Sequence, residues 1–150
     1  MPGTYSQIIL HVVFSTKQRR PCITPDIRAR LYEYVGGIIR AEKGTLYGIG
    51  GMPDHLHILL RWRTDDAISD LMRTVKARSS RWVHETFPNS GAFAWQEGYA
   101  VFSVSKSAEA KVKAYIENQA EHHRKRDFAE ELLALLHAHG IEYDERLVFD

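Results

Sequence analysis

Two histidines stand two residues apart in "MPDHLHILL" (residues 52–60). The run around them is apolar and reads as a strand, on which residues i and i+2 project from the same face. His55 and His57 therefore present their imidazoles side by side, while Leu56 and Ile58 point the other way. Two parallel imidazoles are half of a divalent-metal site. The alternative is a pair of hydrogen-bonded structural histidines on the uncovered face of a sheet. A second set lies on the helix expected over about 107–123, where Val112, Tyr115, Ile116, Gln119 and His123 fall on one stripe, because separations of three and four residues share a helical face. The stripe turns polar halfway. A packing face would carry apolar residues at Gln119 and His123, since burying an unpaired amide or imidazole costs on the order of 1–3 kcal/mol. Either Tyr115 is a core aromatic with its hydroxyl at the rim, or Tyr115 serves chemistry and Gln119 a metal.

The elements that must position these residues follow from periodicity and punctuation. "YSQIILHVVFS" (5–15) is rich in β-branched and aromatic residues and reads as a strand. "TPDIRARLYEYVGGIIRAEKG" (24–44) is a helix with Thr24 as N-cap, Pro25 at the first helical position, a soft Gly36–Gly37 point and a stop at Gly44. "TLYGIGG" and "HLHILLRW" are two strands joined through Met52, Pro53 and Asp54. "DDAISDLMRTVKARSSRWVHETF" puts Ile68, Leu71, Met72, Val75, Trp82 and Val83 on one face of a helix, with Ser79 among them. "YAVFSVS" (99–105) is a fourth strand. Ser107 is an N-cap candidate for the tyrosine helix, and a last amphipathic helix over about 127–139 ends at Gly140. The order β-α-β-β-α-β followed by helices is the split βαβ, or ferredoxin-like, plan. It predicts an α+β fold: an antiparallel four-stranded sheet, helices packed on one face, and an additional C-terminal helical segment, all in one domain spanning 1–150.

A length of 150 residues and a hydrophobic fraction of 44% suit one globular domain with a real core. No signal peptide and no apolar run of the roughly 20 residues needed to span a bilayer are visible, so the expected location is cytoplasmic, without a membrane partner. The single cysteine, Cys22, excludes an internal disulfide framework and a thiolate-rich zinc site. The net charge of +1 hides an uneven distribution. Lys17, Arg19 and Arg20 cluster in "STKQRRP", Arg73, Lys76, Arg78 and Arg81 on one helix, and "HHRKR" (122–126) adds a third patch, while acids gather in the tail, Glu130 and Glu131 among them. Such patches are either solvated helix faces or phosphate contacts. Trp62 and Trp95 are candidates to stack bases; Trp82 continues an apolar stripe and reads as core.

"PDHLHILL" followed by "YIENQAEHHRKRDFAEELLALL" resembles the single-tyrosine transposases of the insertion-sequence 200/605 type, which include the REP-associated tyrosine transposases and belong to the His-hydrophobic-His (HUH) endonuclease superfamily. The segments "HVVFSTKQRRP" and "HGIEYDERLVF" extend the likeness from about Tyr5 to the C-terminus. The resemblance implies that His55, His57 and Gln119 are the metal ligands and Tyr115 the nucleophile. It implies a magnesium or manganese ion, a single-stranded DNA substrate with hairpin or palindromic ends, and a homodimer. The implied reaction is attack of the tyrosine on a phosphodiester, giving a 5′-phosphotyrosine link and a 3′-hydroxyl. The residue chemistry agrees: a phenol of pKa about 10 is a poor nucleophile near neutrality, and a divalent ion on a phosphate oxygen neutralises the charge that builds in the transition state. The set His, His, Gln holds no carboxylate and leaves the ion its full double charge. His11 on the first strand reads as a satisfied core histidine near the site. His122 and His123 could activate Tyr115 or simply cap a helix end. Two other readings stand beside this one: a non-catalytic, domesticated single-stranded nucleic-acid-binding module on the same fold, and a metal enzyme acting on small molecules.

Overall fold

Alternation along two central strands decides which side chains meet. β1 (Ile8–Ser15) and β3 (His55–Trp62) pair antiparallel, with Val13 opposite His57 and Ser15 opposite His55. β2 (Thr45–Met52) flanks β3 and β4 (Ala100–Val104) flanks β1, so the antiparallel sheet runs β2-β3-β1-β4. Helix α1 (Pro25–Ala41) connects β1 to β2, and α2 (Ile68–Thr86) connects β3 to β4. This is the ferredoxin-like order that the sequence predicts, seen in a computed structural model that describes residues 3–123 and 126–149.

The even-numbered side chains of β1 and β3 build the main core. Val12, Phe14, Leu56, Ile58, Leu60 and Trp62 pack against Ile27, Leu31, Val35 and Ile39 of α1 and Leu71, Met72, Val75 and Val83 of α2. Ser79, the polar member of the α2 stripe, is buried without penalty because its hydroxyl accepts the Trp95 indole N–H at 2.9 Å. Trp62 and Trp95 are core residues, 4% and 8% exposed, which removes them as base-stacking platforms. Trp82 is only half-buried and stacks on Tyr34 at 4.8 Å, at the rim where α2 meets α1. Thr24 precedes α1 as expected, but its hydroxyl meets the Asp26 carboxylate rather than a backbone N–H. The Gly36–Gly37 pair lies inside an unbroken helix.

The odd-numbered side chains face a second helical layer, so the histidine face is covered. α3 (Glu109–Glu117), α4 (Gln119–His122) and α5 (Phe128–Ala138) close over it. Ile116 seals against Ile9 and Leu59, and Phe128, Leu132 and Leu136 against Val13 and Phe102. The one helix expected over about 107–123 is in fact a 3-10 turn over Lys106–Ala108 followed by α3 and α4, broken at Asn118, whose φ of −106° and ψ of 33° leave the helical region. Ser107 lies within the turn, and no side chain caps α3. Asp127 caps α5 by accepting the Glu130 N–H at 2.9 Å. Gly50 sets how closely this layer sits on β2: a Cβ there would be 3.1 Å from the Ile116 carbonyl carbon and closer still to its oxygen. Among the described residues no helix is long and apolar enough to cross a membrane.

Candidate metal and tyrosine site

Two strands and three helices bring their polar residues to one point between the two apolar seals of the second layer. β3 contributes His55 and His57, both fully buried, on the face shared with His11 of β1. Gln119, 2% exposed, follows the break at Asn118, and Tyr115 sits one helical turn before it, with the Gln119 amide 3.4 Å from the Tyr115 carbonyl. α5 supplies Glu131, 1% exposed. The four residues singled out in the sequence are thus within one cluster. Glu131, one of the acids of the C-terminal segment, joins them. Its signal was local: Glu131 falls on the Phe128–Leu132 stripe of an amphipathic helix, where an acid has to find a partner.

The hydrogen bonds fix the protons. His55 Nδ1 donates to Asp54 Oδ1 at 2.7 Å, and its Nε2 faces Gln119 Oε1 at 3.0 Å and Glu131 Oε1 at 3.3 Å. All of these partners are acceptors, so His55 carries both protons. Burial works against that charge, but Asp54, Glu131 and Gln119 outweigh it and raise the His55 pKa to about 9. His57 Nε2 donates to Glu131 Oε1 at 2.9 Å, while its Nδ1 accepts from His11 Nε2 at 2.8 Å. Both of those rings are neutral: burial holds the His57 pKa below its ordinary value and lowers that of His11 to about 3. His11 is the satisfied core histidine that its strand suggests.

Glu131 is the hub. Its Oε1 also accepts from His123 Nε2 at 3.1 Å, and its Oε2 accepts the Tyr115 hydroxyl. Burial opposes ionisation, but the hydrogen bonds from His55 and His57 outweigh it and hold the carboxyl far below the usual range. Burial, then the hydrogen bond to Glu131 and its charge, push the Tyr115 phenol above its ordinary value. In this arrangement the phenol is protonated. His122 is exposed, its ring 4.5 Å from that of Tyr115.

The donor set suits a divalent cation. His55, His57 and Glu131 each offer one ligand atom, and these atoms lie within 4.8 Å of one another. Gln119 Oε1 adds a fourth beside them. The carboxylate changes the expectation of an all-neutral His, His, Gln set, because Glu131 would cancel part of the ion's charge. Two imidazoles with oxygen donors suit manganese or zinc as well as magnesium.

The basic residues divide by location. Lys17, Arg19 and Arg20 are exposed on the turn after β1, which leaves the sheet at the His55 end; Gln18 and Arg19 there adopt left-handed φ of 56° and 55°. Arg73, Arg78 and Arg81 are exposed on α2, across the sheet from the histidines; Arg73 pairs with Asp70 and Arg81 with Glu85. Lys76 is not a solvated cation. Its ammonium donates to the carbonyls of Gln96, Glu97 and Gly98 and ties α2 to the segment before β4. Arg124 and Lys125 of the third patch lie outside the described residues.

Residues 4–119 match the family model described as transposase, IS200-like. The ISDra2 transposase TnpA of Deinococcus radiodurans is 25% identical over 122 residues, covering 78% of this chain and 87% of that protein. The transposase for insertion sequence element IS200 of Salmonella typhimurium is 27% identical over 116 residues, covering 74% and 76%. A solved structure described as a candidate transposase from D. radiodurans superimposes with a TM-score of 0.65 at 27% identity, over 79% of this chain and 95% of that one. A REP-associated tyrosine transposase shares the fold, with a TM-score of 0.55 at 14% identity over 77% and 68% of the two chains. With more than two thirds of its length inside the family model and its helical C-terminal layer folded over paired histidines, this chain belongs to the IS200-like transposase family.

Proposed function

We propose that this transposase cleaves and rejoins single-stranded DNA, with Tyr115 as nucleophile and His55, His57 and Gln119 holding a magnesium or manganese ion together with Glu131. The observation that carries the reading is the meeting of the Tyr115 hydroxyl with a buried carboxylate that also faces both histidines. In the reaction Tyr115 Oη bonds to phosphorus as its proton passes to the Glu131 carboxylate that it meets, the P–O3′ bond breaks, and that proton is returned to the leaving oxygen, so the products are a 5′-phosphotyrosine and a 3′-hydroxyl. One phosphodiester replaces another, so no nucleotide or water is consumed and the 3′-hydroxyl can reverse the step at a new junction. A bound divalent ion supplies charge neutralisation at a phosphate oxygen. Nε2 coordination would require His55 to give up one of its two protons, leaving the other on Nδ1 against Asp54. His57 would have to carry its proton on Nδ1, and His11, which now donates to that atom, would have to shift its own proton from Nε2 to Nδ1 and become the acceptor.

The REP-associated relative was solved bound to a REP hairpin, which supports a substrate with hairpin or palindromic ends. The exposed Lys17, Arg19 and Arg20, at the His55 end of the sheet, are placed to hold phosphates of the strand that enters the site; Arg73, Arg78 and Arg81 offer a second basic face. A homodimer would have edge strands β2 and β4 available for pairing. The test is incubation with labelled single strands from the gene's own flanks, with magnesium or manganese, read on a denaturing gel. The expected result is a protein-linked 5′ product that Tyr115→Phe and His57→Ala both abolish. Tight binding with no covalent product under either ion supports instead the domesticated binding module.

A further inference from the structure

Tyr115 lies between two clefts. One, of about 500 Å³, is polar and lined by His122, His123, Arg126 and Glu130. The other, of about 570 Å³, opens between β4, α3 and α5, with Tyr115 and Glu131 among its lining. Its wall is of a different kind. The His139 ring stacks on Phe102 at 4.3 Å with an interplanar angle of 27°, and the small Ala134 and Ala138 of α5 leave the space beside that pair open. Lys111 of α3 and Arg126 also line it, and both are exposed.

We infer that this second cleft is a nucleobase pocket, which takes the base of one of the two nucleotides that flank the phosphate attacked by Tyr115. The inference rests on the proposed single-strand cleavage. An apolar slot with an aromatic wall matches the face of a base, as extruded bases are held in other nucleic-acid enzymes. The two cations match the phosphates on either side of it. Because Tyr115 lines the slot, a nucleotide whose base fills it would bring its own phosphate beside the phenol. The polar cleft on the other side of Tyr115 leaves a path for the backbone to continue. Seating the base would therefore orient the scissile phosphate before the reaction, and so contribute to specificity as well as to rate.

The experiment uses wild-type protein and the same flank-derived strand, cleaved with manganese, with single abasic nucleotides placed in turn at each position around the cleavage site. The expected result is a loss on the order of ten-fold in kcat/KM when one of the two flanking nucleotides is abasic, the size of one lost base–aromatic contact. Ala138→Trp, which fills the cleft from an exposed position, should lower cleavage of the intact strand by a similar factor and erase the difference between intact and abasic strands. Cleavage that proceeds to the covalent product but is indifferent to an abasic site on either flank overturns the pocket and leaves the proposed reaction standing. An Ala138→Trp protein that cleaves and still discriminates also overturns it. Absence of any covalent product from the intact strand overturns the reaction and this inference with it.

Discussion

Gly50→Ala tests whether the second helical layer sits where the proposed cleavage needs it. Gly50 lies on edge strand β2 and its φ is outside the left-handed region, so an alanine there meets no backbone strain of its own. What it meets is the end of α3. The new methyl would lie 3.3 Å from Ile116 Cγ2, 3.1 Å from the Ile116 carbonyl carbon, and about 1 Å inside the ordinary C···O contact of about 3.3–3.6 Å at the carbonyl oxygen. Backbone cannot swing aside as a side-chain tip can, so α3 must retreat by about 1 Å. Tyr115 precedes Ile116 and Gln119 follows it, so both leave the histidines together. A misplacement of that size costs on the order of 10²-fold in rate, and overpacking a fitted contact costs about 1–3 kcal/mol. Single-turnover cleavage and thermal melts measure the two effects. Gly48→Ala is the control, because its methyl would meet only side-chain atoms, Lys113 at 3.3 Å and the Glu117 carboxylate at 4.0 Å. A Gly50→Ala protein that melts and cleaves like wild type would refute the idea that direct backbone contact at this glycine sets the site geometry.

Two further outcomes follow from the charges in the site. Glu131→Gln should weaken manganese binding by about ten-fold or more, read by calorimetry, and destabilise the metal-free protein by about 2–3 kcal/mol through loss of its charge-assisted hydrogen bonds; unchanged manganese affinity would remove Glu131 from the ligand set. Melted in chelator across pH, the metal-free protein should be most stable near pH 6.5. Above that, the contribution of the His55 imidazolium, present in full below 6.5 and worth up to about 3 kcal/mol, is lost as pH rises through about 9. Below 6.5, His11 and His57 resist the protonation that the unfolded chain accepts, so stability falls toward the His11 value of about 3, and Glu131 adds to the loss below its ordinary 4.5. A flat melting profile between about pH 6.5 and 9 would show that His55 is not held charged.

The parts legible in the sequence are those governed by local periodicity. The two-residue repeat of β3 sends His55 and His57 to one face and Leu56 and Ile58 to the other, and helical spacing puts Tyr115 and Gln119 on one stripe. The β-α-β-β-α-β order followed from caps, glycines and apolar runs, and it dictated the sheet. The resemblance then named roles for the same four residues. The break at Asn118 was less legible, because Asn is an ordinary helix residue at modest cost and only the fit of α3 and α4 onto β2 and β3 favours the kink.

Partners separated along the chain could not be read in that way. His11 and His57 are 46 positions apart, and Glu131 lies 74 beyond His57; nothing in the spacing of such residues says that they meet. A lysine on a basic helix looks like a phosphate contact until three carbonyls from the next connection surround its ammonium, as they do for Lys76. By itself the sequence determined the elements, their order and the faces on which the chemical residues stand, because these depend on neighbours within a few positions. The tertiary structure alone decided that a second helical layer covers the histidines, that Glu131 joins them, and which protons they carry, because burial and hydrogen-bond geometry exist only once distant segments have packed.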